Sequence, residues 1–168
     1  MQLIAIDKTL YRERLRKIIV VLIVCFLALS VGISSLLIEL LQRAPGENLD
    51  LNVLGVAAAF ACCFFTLQRF KSHPYFYEFF YVLQLKHELN LIQRKIKAVK
   101  KAAAADDITA LTILLFSYQG SKQLWTLDDN DLHLEQLEQD LVMLEAQLQE
   151  KNLHLTVEQY QRNMLDRF

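Results

Sequence analysis

The acidic run Asp128-Asp129-Asn130-Asp131 is the part of this sequence that most resembles a metal site. A helix–loop–helix calcium loop places oxygen ligands at alternate positions, and it needs a glycine at position six and a glutamate at position twelve. Counted from Asp128, Leu132 stands at position five and His133 at position six, so the calcium pattern is broken. We therefore predict that these acids cap the start of a helix, where negative charge is favourable.

The spacing of the four histidines does not match a known metal-binding or catalytic motif. His73, His87, His133 and His154 are scattered, and His87 has no second histidine at the spacing of a zinc-protease helix. His87 and His133 could approach each other if their helices pair, which keeps a metal or pH-sensing site as an alternative to exposed histidines.

The serines give no better signal. Ser117 and Ser121 lack the flanking glycines of a nucleophile elbow, and no glycine-rich loop could cradle a phosphate. We expect no enzyme, no metal and no cofactor.

Two charge-free apolar stretches explain how this chain is organised. Residues 18–38 number 21, residues 51–68 number 18, and twelve residues separate them. At about 1.5 Å rise per residue they extend roughly 31 and 27 Å, close to the ~30 Å hydrocarbon core of a bilayer. We predict a transmembrane hairpin with an outside loop at 39–50. A basic cytoplasmic segment at 1–17 would precede it, and a cytoplasmic α-helical domain at 69–168 would follow.

Basic residues lie at the outer ends of both spans, whereas the loop between them has Arg43 alone. Because basic residues favour the cytoplasmic side, both termini should lie in the cytoplasm. The same side chains are our candidates for contact with lipid headgroups. They are Arg14, Arg16, Lys17, Arg69 and Lys71.

A cleaved signal peptide is the alternative interpretation of the first span, since Ala28 and Ser30 have the spacing of a cleavage site. The apolar sequence continues to Ile38, however, and 17 residues precede it. We therefore predict an uncleaved anchor.

Small residues recur at four-residue spacing in both spans, and such pairs let helices approach closely in lipid. The pairs are Ala28 with Gly32 and Gly55 with Ala59. We expect them to pack the two helices of the hairpin, with dimerisation through the membrane as the alternative. The three cysteines, Cys25, Cys62 and Cys63, also lie in the spans, where they are most simply small packing residues.

After the spans, the pattern predicts about four cytoplasmic helices with coiled-coil-like seams. A long helix should run from Tyr75 to about Ala104, a buried one from Asp106 or Asp107 to near Gly120, a third from the 128–131 acids, and a last one after Thr156. Two apolar seams follow spacings of three and four residues. Their members are Leu85, Leu89, Ile92, Ile96 and Val99, and Leu134, Leu137, Leu141, Leu144 and Leu148.

Charge is segregated between the two seamed helices. Residues 86–101 carry six basic side chains and one acidic one, Glu88, whereas residues 128–150 carry eight acidic and no basic ones. Opposite charge favours antiparallel pairing of the two helices, within one chain or between two. The seams are thus our candidate partner-binding surface. The basic run, which follows an aromatic cluster at 75–81, could instead contact anionic lipid; we expect no nucleic-acid partner.

The opening MQLIAIDKTLYRERLRK, the two spans and the ending LTVEQYQRNMLDRF resemble an uncharacterised family of small bacterial inner-membrane proteins, a domain of unknown function. That resemblance implies a multi-pass protein of the bacterial inner membrane. It transfers no active site. From the residues, we predict a membrane-anchored helical scaffold or accessory subunit that binds a copy of itself or a membrane-protein partner. The alternative is a small regulator that senses anionic lipid or membrane state.

Overall fold

All regular elements in the described part of the chain are helical, as the sequence predicts. The computed structural model describes residues 2–41, 46, 48–130, 132 and 134–168. The α-helices are α1 (Lys8–Leu40), α2 (Leu49–Arg69), α3 (Tyr77–Ala103), α4 (Ile108–Asp128) and α5 (Leu134–Glu150). Short 3₁₀ helices span Pro74–Phe76, Val157–Gln159 and Arg162–Arg167.

The chain divides into two compact units. The hairpin unit is Thr9–Phe79, and the helical unit joins residues 2–8 to Phe80–Phe168. The predicted boundaries at 17 and 68 differ from this division. The first eight residues carry no strong periodicity, so their packing against residues 80 and beyond could not be inferred from local pattern.

Helices α1 and α2 of the hairpin unit are both long and apolar enough to cross a membrane. Their apolar side chains mostly point outward, with Val31 65 % and Phe65 69 % exposed. Such exposure of apolar surface is costly in water and favourable in hydrocarbon. The predicted Pro45-Gly46 turn falls mainly outside the described residues, since only Gly46 is described.

The contact between α1 and α2 uses one of the two predicted small-residue pairs. Gly55 and Ala59 are buried as predicted. A Cβ on Gly55 would lie 2.9 Å from the backbone nitrogen of Ser34 and 3.0 Å from the carbonyl oxygen of Ser30. The prediction was wrong for α1, because Ala28 and Gly32 are exposed and Ser30 and Ser34 occupy the contact.

Serine serves at this contact for two reasons. It is nearly as small as alanine, and its hydroxyl can bond inside an apolar helix. The Ser30 hydroxyl donates to the carbonyl oxygen of Leu27 at 3.0 Å, and the Ser34 hydroxyl donates to the side-chain oxygen of Asn52. Ser30 and Ser34 have the same four-residue spacing as the predicted pair Ala28 and Gly32, and the direction of the α1 face selects the serines.

Each of the three α-helices of the helical unit is followed, within three residues of its end, by a residue in the left-handed conformation. Asp106, Asp129 and Asn152 have φ values of 63°, 54° and 53°. The short polar side chains of Asp and Asn make this conformation tolerable where glycine, which occurs only four times in the chain, is absent. The acids at 128–129 therefore close α4. The predicted helix-opening role fails for these two, and Asp131 lies outside the described residues.

Helix α4 runs past its predicted end. It begins with Asp107 as N-cap, whose carboxylate accepts from the Ala110 amide at 3.0 Å. It then continues through Gly120 to Asp128, so that the predicted connection at 121–127 is helical. Gly120 does not end the helix but lets α3 approach, because a Cβ there would lie 3.2 Å from Leu85 and 3.3 Å from Leu89.

The seamed helices α3 and α5 run parallel, which corrects the predicted antiparallel pairing. Tyr81 near the start of α3 bonds Gln123 near the end of α4, so these two helices are antiparallel. The C-terminal end of α5 lies beside the C-terminal end of α3, because the Gln147 side-chain amide donates to the carbonyl oxygen of Ala103 at 3.3 Å. Two helices joined through one intervening helix run in the same direction.

The last predicted helix is replaced by two 3₁₀ turns separated by extended backbone at Tyr160 and Gln161. The three-residue spacing of Thr156 and Gln159 predicts a capping box, and the Gln159 side chain accepts a hydrogen bond from the Thr156 amide at 3.3 Å. The α-helix is not continued because Tyr160 turns into the core, where it is 1 % exposed.

Candidate functional site

The ten predicted seam residues lie inside the helical unit of a single chain. Leu85, Ile92 and Val99 have no exposed surface, and the remaining seven are buried or half-buried. Within one chain they pack α3, α4 and α5 together. The seam is therefore not an open surface, and a candidate partner surface has to be sought on the outer faces of the helices.

Part of the charge segregation is neutralised inside the chain. Lys100 lies 3.8 Å from Asp140, Lys86 lies 2.9 Å from Asp128, and Lys122 lies 2.8 Å from Glu138. Exposed pairs of this kind contribute about 0–1 kcal/mol each. They orient α3 and α4 against α5 more than they stabilise them.

The α3 basic face is the set Arg94, Lys97 and Lys101. All three side chains are exposed, and none forms an ion pair or hydrogen bond with any described residue. Their spacings of three and four residues place them on one side of the helix, opposite the seam. Lys95 is not part of this face, because its ammonium donates to the carbonyl oxygen of Leu165 at 2.7 Å.

The α5 outer face is formed by Glu135, Val142, Met143 and Glu150. Val142 is 64 % and Met143 68 % exposed, which places two apolar side chains between acids that pair with no described residue. An apolar centre with a charged rim is the usual composition of a protein interface. The helical unit thus presents an open basic face and an open acidic face on its two parallel helices.

A buried carboxylate fixes the C-terminal segment beneath these faces. Glu88 is 4 % exposed although it belongs to the basic helix. The Tyr160 hydroxyl donates to Glu88 Oε1 at 2.8 Å, and Arg162 donates to Oε2 through Nη2 at 2.7 Å and Nε at 3.1 Å. The Tyr160 ring also stacks on Phe116, with centroids 4.1 Å apart.

These contacts decide the ionisation of the cluster. Burial by itself would raise the pKa of Glu88, but hydrogen bonds from Arg162 and Tyr160 together with the Arg162 charge lower that pKa below its ordinary value. Burial, followed by the Glu88 carboxylate, raises the pKa of Tyr160. The carboxylate is therefore charged and the phenol neutral at pH 7.

The N-terminal segment is held on the same unit by its backbone. The Ile4 amide donates to the Tyr81 hydroxyl at 3.1 Å, and the Gln123 side-chain amide donates to the Ile4 carbonyl oxygen at 2.5 Å. The Tyr81 hydroxyl donates in turn to Gln123 at 3.1 Å. These three bonds fix residues 2–6 across α3 and α4.

Among the described residues, no group of three or more His, Cys, Asp or Glu side chains is placed to hold a metal ion. His73 accepts the Tyr75 amide at 3.2 Å and caps a 3₁₀ helix, while His87 and His154 are exposed. The hypothesis of a site shared by His87 and His133 concerns a residue outside the described ones.

The hairpin unit contains an apolar groove of about 420 Å³ at the end where α1 begins and α2 ends. Ile18 and Leu22 of α1 and Leu67 of α2 form its walls, and Tyr75 and Phe76 complete the lining. Lys17 is the single cationic side chain in its lining. The volume lies within the roughly 300–1,000 Å³ range of small-molecule pockets.

The five predicted headgroup residues differ in the contacts that they make. Arg14 is engaged within the unit, 3.2 Å from Glu78 and 5.5 Å from the centre of the Tyr75 ring. Lys17 pairs with Glu13 at 2.6 Å, but both side chains are 63 % exposed. The others are exposed and pair with no described residue. They are Arg16, Arg69 and Lys71.

A family model for a protein of unknown function, DUF3087, matches residues 1–165. The chain belongs to the DUF3087 family. Comparison with curated proteins and with solved structures gives no match. The resemblance to an uncharacterised family is thereby confirmed, whereas a bacterial source and an inner-membrane location stay predictions.

Sequence reasoning missed the residues that organise the helical unit of this DUF3087 chain. Glu88 did leave a signal, since it is the single acid in a basic helix, and such an exception marks a position with its own partner. Tyr160 falls in the stretch after Thr156 for which a helix was predicted, and its 72-residue separation from Glu88 hid the contact. Ile4 carried no signal, because its role lies in its backbone.

Proposed function

We propose that this chain is a membrane-anchored helical scaffold or accessory subunit, which acts through contacts with a copy of itself or with a membrane-protein partner. The hairpin unit anchors it in a bacterial inner membrane with both termini in the cytoplasm. The helical unit presents the binding surface.

One observation carries this proposal. The apolar seam is satisfied within the chain, yet the α3 basic face and the α5 outer face expose unpaired charge of opposite sign. Exposed apolar side chains beside these acids add contact area, with Leu132 87 % exposed next to α5. Charge complementarity of this kind sets register and suppresses wrong partners more than it adds affinity.

The parallel direction of α3 and α5 makes a second copy a well-suited partner. A two-fold axis parallel to these helices brings α3 of one copy against α5 of the other and repeats the same contact on the opposite side.

A charge-swap experiment tests the proposal on the full chain in native membranes. An all-acidic variant carries Arg94→Glu, Lys97→Glu and Lys101→Glu, and an all-basic variant carries Glu135→Lys and Glu150→Lys. Each is co-expressed with two different tags, and association is measured by pull-down in mild detergent. We expect each variant alone to associate roughly tenfold or more weakly than the natural chain, because every contact then opposes like charges.

Co-expression of the two variants together should restore association, since each α3 then meets an α5 of opposite sign. A matched control keeps the charge of both faces, with Arg94→Lys, Lys97→Arg and Lys101→Arg on α3 and Glu135→Asp and Glu150→Asp on α5, and should leave association unchanged. If neither variant weakens association and no stoichiometric second protein depends on either face, the scaffold proposal fails. A second protein lost with one face only would make the chain an accessory subunit.

A small regulator of membrane state is the second candidate. Its support is the α3 basic face, whose Arg94, Lys97 and Lys101 are exposed and unpaired among the described residues, on a helix that begins within the aromatic 75–81 segment. Reversal of the α3 basic face separates the two candidates. Intact association with lost binding of the helical unit to anionic vesicles would favour the regulator, and the converse would favour the scaffold.

A further inference from the structure

The apolar groove of the hairpin unit is bounded by one face of each long helix. The α1 wall includes Ile18, Leu22 and Leu29, and the α2 wall runs from Cys63 to Phe70. Spacings of three and four residues along both helices keep these side chains on facing stripes. The groove is therefore lined by one stripe of each helix and extends along the helix axes.

The length of the groove corresponds to one leaflet of a bilayer. Lys17 and Leu29 both line the groove, and Leu29 lies twelve positions after Lys17 in the sequence. This is about 18 Å of helix rise, slightly more than half of the ~30 Å hydrocarbon core. A groove of this length, open to the surroundings of two helices that are mostly exposed, fits an extended acyl chain.

The cationic end of the groove fits a phosphate. Lys17 lines that end, and Arg69 and Lys71 flank the lining residue Phe70 in sequence. The ion pair of Lys17 with Glu13 joins two largely exposed side chains four residues apart, and such pairs are weak enough to yield to a phosphate. Arg14 is engaged by Glu78 and by the Tyr75 ring, so its charge is not counted toward the phosphate site.

We propose that this groove binds one anionic glycerophospholipid of the cytoplasmic leaflet, with an acyl chain between α1 and α2 and its phosphate at Lys17. The inference rests on the proposed membrane anchoring of the hairpin unit. It does not depend on what the helical unit binds.

The test reads the position of a lipid from its ability to quench a tryptophan. On a Trp125→Phe background, Phe76→Trp places the reporter in the groove wall, and Phe65→Trp places it on the exposed outer side of α2. The full chain is reconstituted in vesicles that contain phospholipid brominated on its acyl chains, either phosphatidylglycerol or phosphatidylcholine. Bromine quenches tryptophan on contact, so quenching against mole fraction reports occupancy.

We expect the Phe76→Trp reporter to be quenched at roughly fivefold lower mole fraction of the anionic lipid than of the zwitterionic one, since a cation near the membrane surface contributes about 1 kcal/mol. The Phe65→Trp reporter should respond equally to both lipids. Lys17→Gln should abolish the difference at position 76, whereas Lys122→Gln, an equal loss of charge on α4, should leave it.

Each other outcome overturns a defined part of the proposal. If position 65 is quenched and position 76 is not, no acyl chain enters the groove. If position 76 responds equally to both lipids, or if its preference survives Lys17→Gln, the anionic site is wrong. If position 65 is quenched by neither lipid, the hairpin unit does not lie in the bilayer and the membrane anchoring itself fails.

Discussion

Glu88 and Arg162 form a two-point ion pair across 74 positions of sequence, with the guanidinium Nη2 2.7 Å and Nε 3.1 Å from the same carboxylate oxygen. The two partners differ in exposure. The Glu88 side chain is 5 % exposed and that of Arg162 is 58 % exposed. Removing one partner is therefore not equivalent to removing the other.

Arg162→Ala should destabilise the helical unit more than Glu88→Gln does. Loss of Arg162 leaves a buried carboxylate with Tyr160 as its remaining partner, whereas loss of the Glu88 charge leaves an arginine that water can solvate. The measurement is thermal unfolding in mild detergent, followed by the fluorescence of the single tryptophan, Trp125. Arg94→Ala, which removes an exposed and unpaired arginine, is the control and should leave the midpoint unchanged. Equal effects of Arg162→Ala and Glu88→Gln on the unfolding midpoint would contradict this expected difference.

Tyr160 should contribute through its ring more than through its hydroxyl. Tyr160→Phe removes one hydrogen bond to a charged group and should lower the free energy of unfolding by about 1.5 kcal/mol. Tyr160→Ala also removes the stacking on Phe116 and leaves a cavity, so about 3–5 kcal/mol is expected. Denaturant unfolding of both variants gives the comparison, and a phenylalanine variant as unstable as the alanine variant would show that the hydroxyl dominates.

The Glu88 cluster should weaken in acid. The pKa of the Glu88 carboxyl is lower in the folded chain than the ordinary value of about 4.3. The stabilising contribution of the Glu88 carboxylate is therefore complete above that pH. The contribution is lost as the pH falls from about 4.3 through the folded pKa, because the unfolded chain binds the proton more tightly. The unfolding midpoints of the natural chain and of Glu88→Gln should therefore converge between pH 5 and the acid limit. A constant difference down to pH 3 would contradict the assignment.

Gly55→Ala should disrupt the packing of α1 against α2. The added Cβ would lie 2.9 Å from the Ser34 backbone, which can give way only if the helices separate. We expect a loss of about 1–3 kcal/mol in the stability of the hairpin unit, as overpacking usually costs. Gly32→Ala is the matched control, since no atom lies within 4 Å of its added Cβ. Crosslinking between α1 and α2 in native membranes measures the effect, which should appear in Gly55→Ala alone.

Tyr81→Phe should release the N-terminal segment without unfolding the helical unit. The lost hydroxyl accepts from the Ile4 amide and orients Gln123, so the Ile4 amide should exchange with solvent roughly tenfold faster. Hydrogen exchange read by mass spectrometry on residues 2–8 tests this. Tyr77→Phe, on an exposed tyrosine, should leave the exchange unchanged. Unchanged exchange in Tyr81→Phe would mean that Gln123 alone holds the segment.

The sequence was most informative where a feature depends on neighbouring residues. The extent of α3 was predicted, and the cap of α4 was narrowed to Asp106 or Asp107, because apolar spacing and capping chemistry act within a few residues. Gly120 was misinterpreted for the same reason. A glycine that ends a helix and a glycine that admits a neighbouring helix have the same local sequence, and the approach of Leu85 decides between them.

By itself, then, the sequence determined an all-helical chain with two helices long and apolar enough to cross a membrane, because hydropathy and helical periodicity are local properties. Tertiary structure alone decided that the oppositely charged helices run parallel, that Ser30 and Ser34 form the contact face of α1, and that Glu88 turns inward to Tyr160 and Arg162. These relationships join residues that are distant in sequence. Their free energy comes from packing and desolvation in three dimensions, which no local pattern encodes.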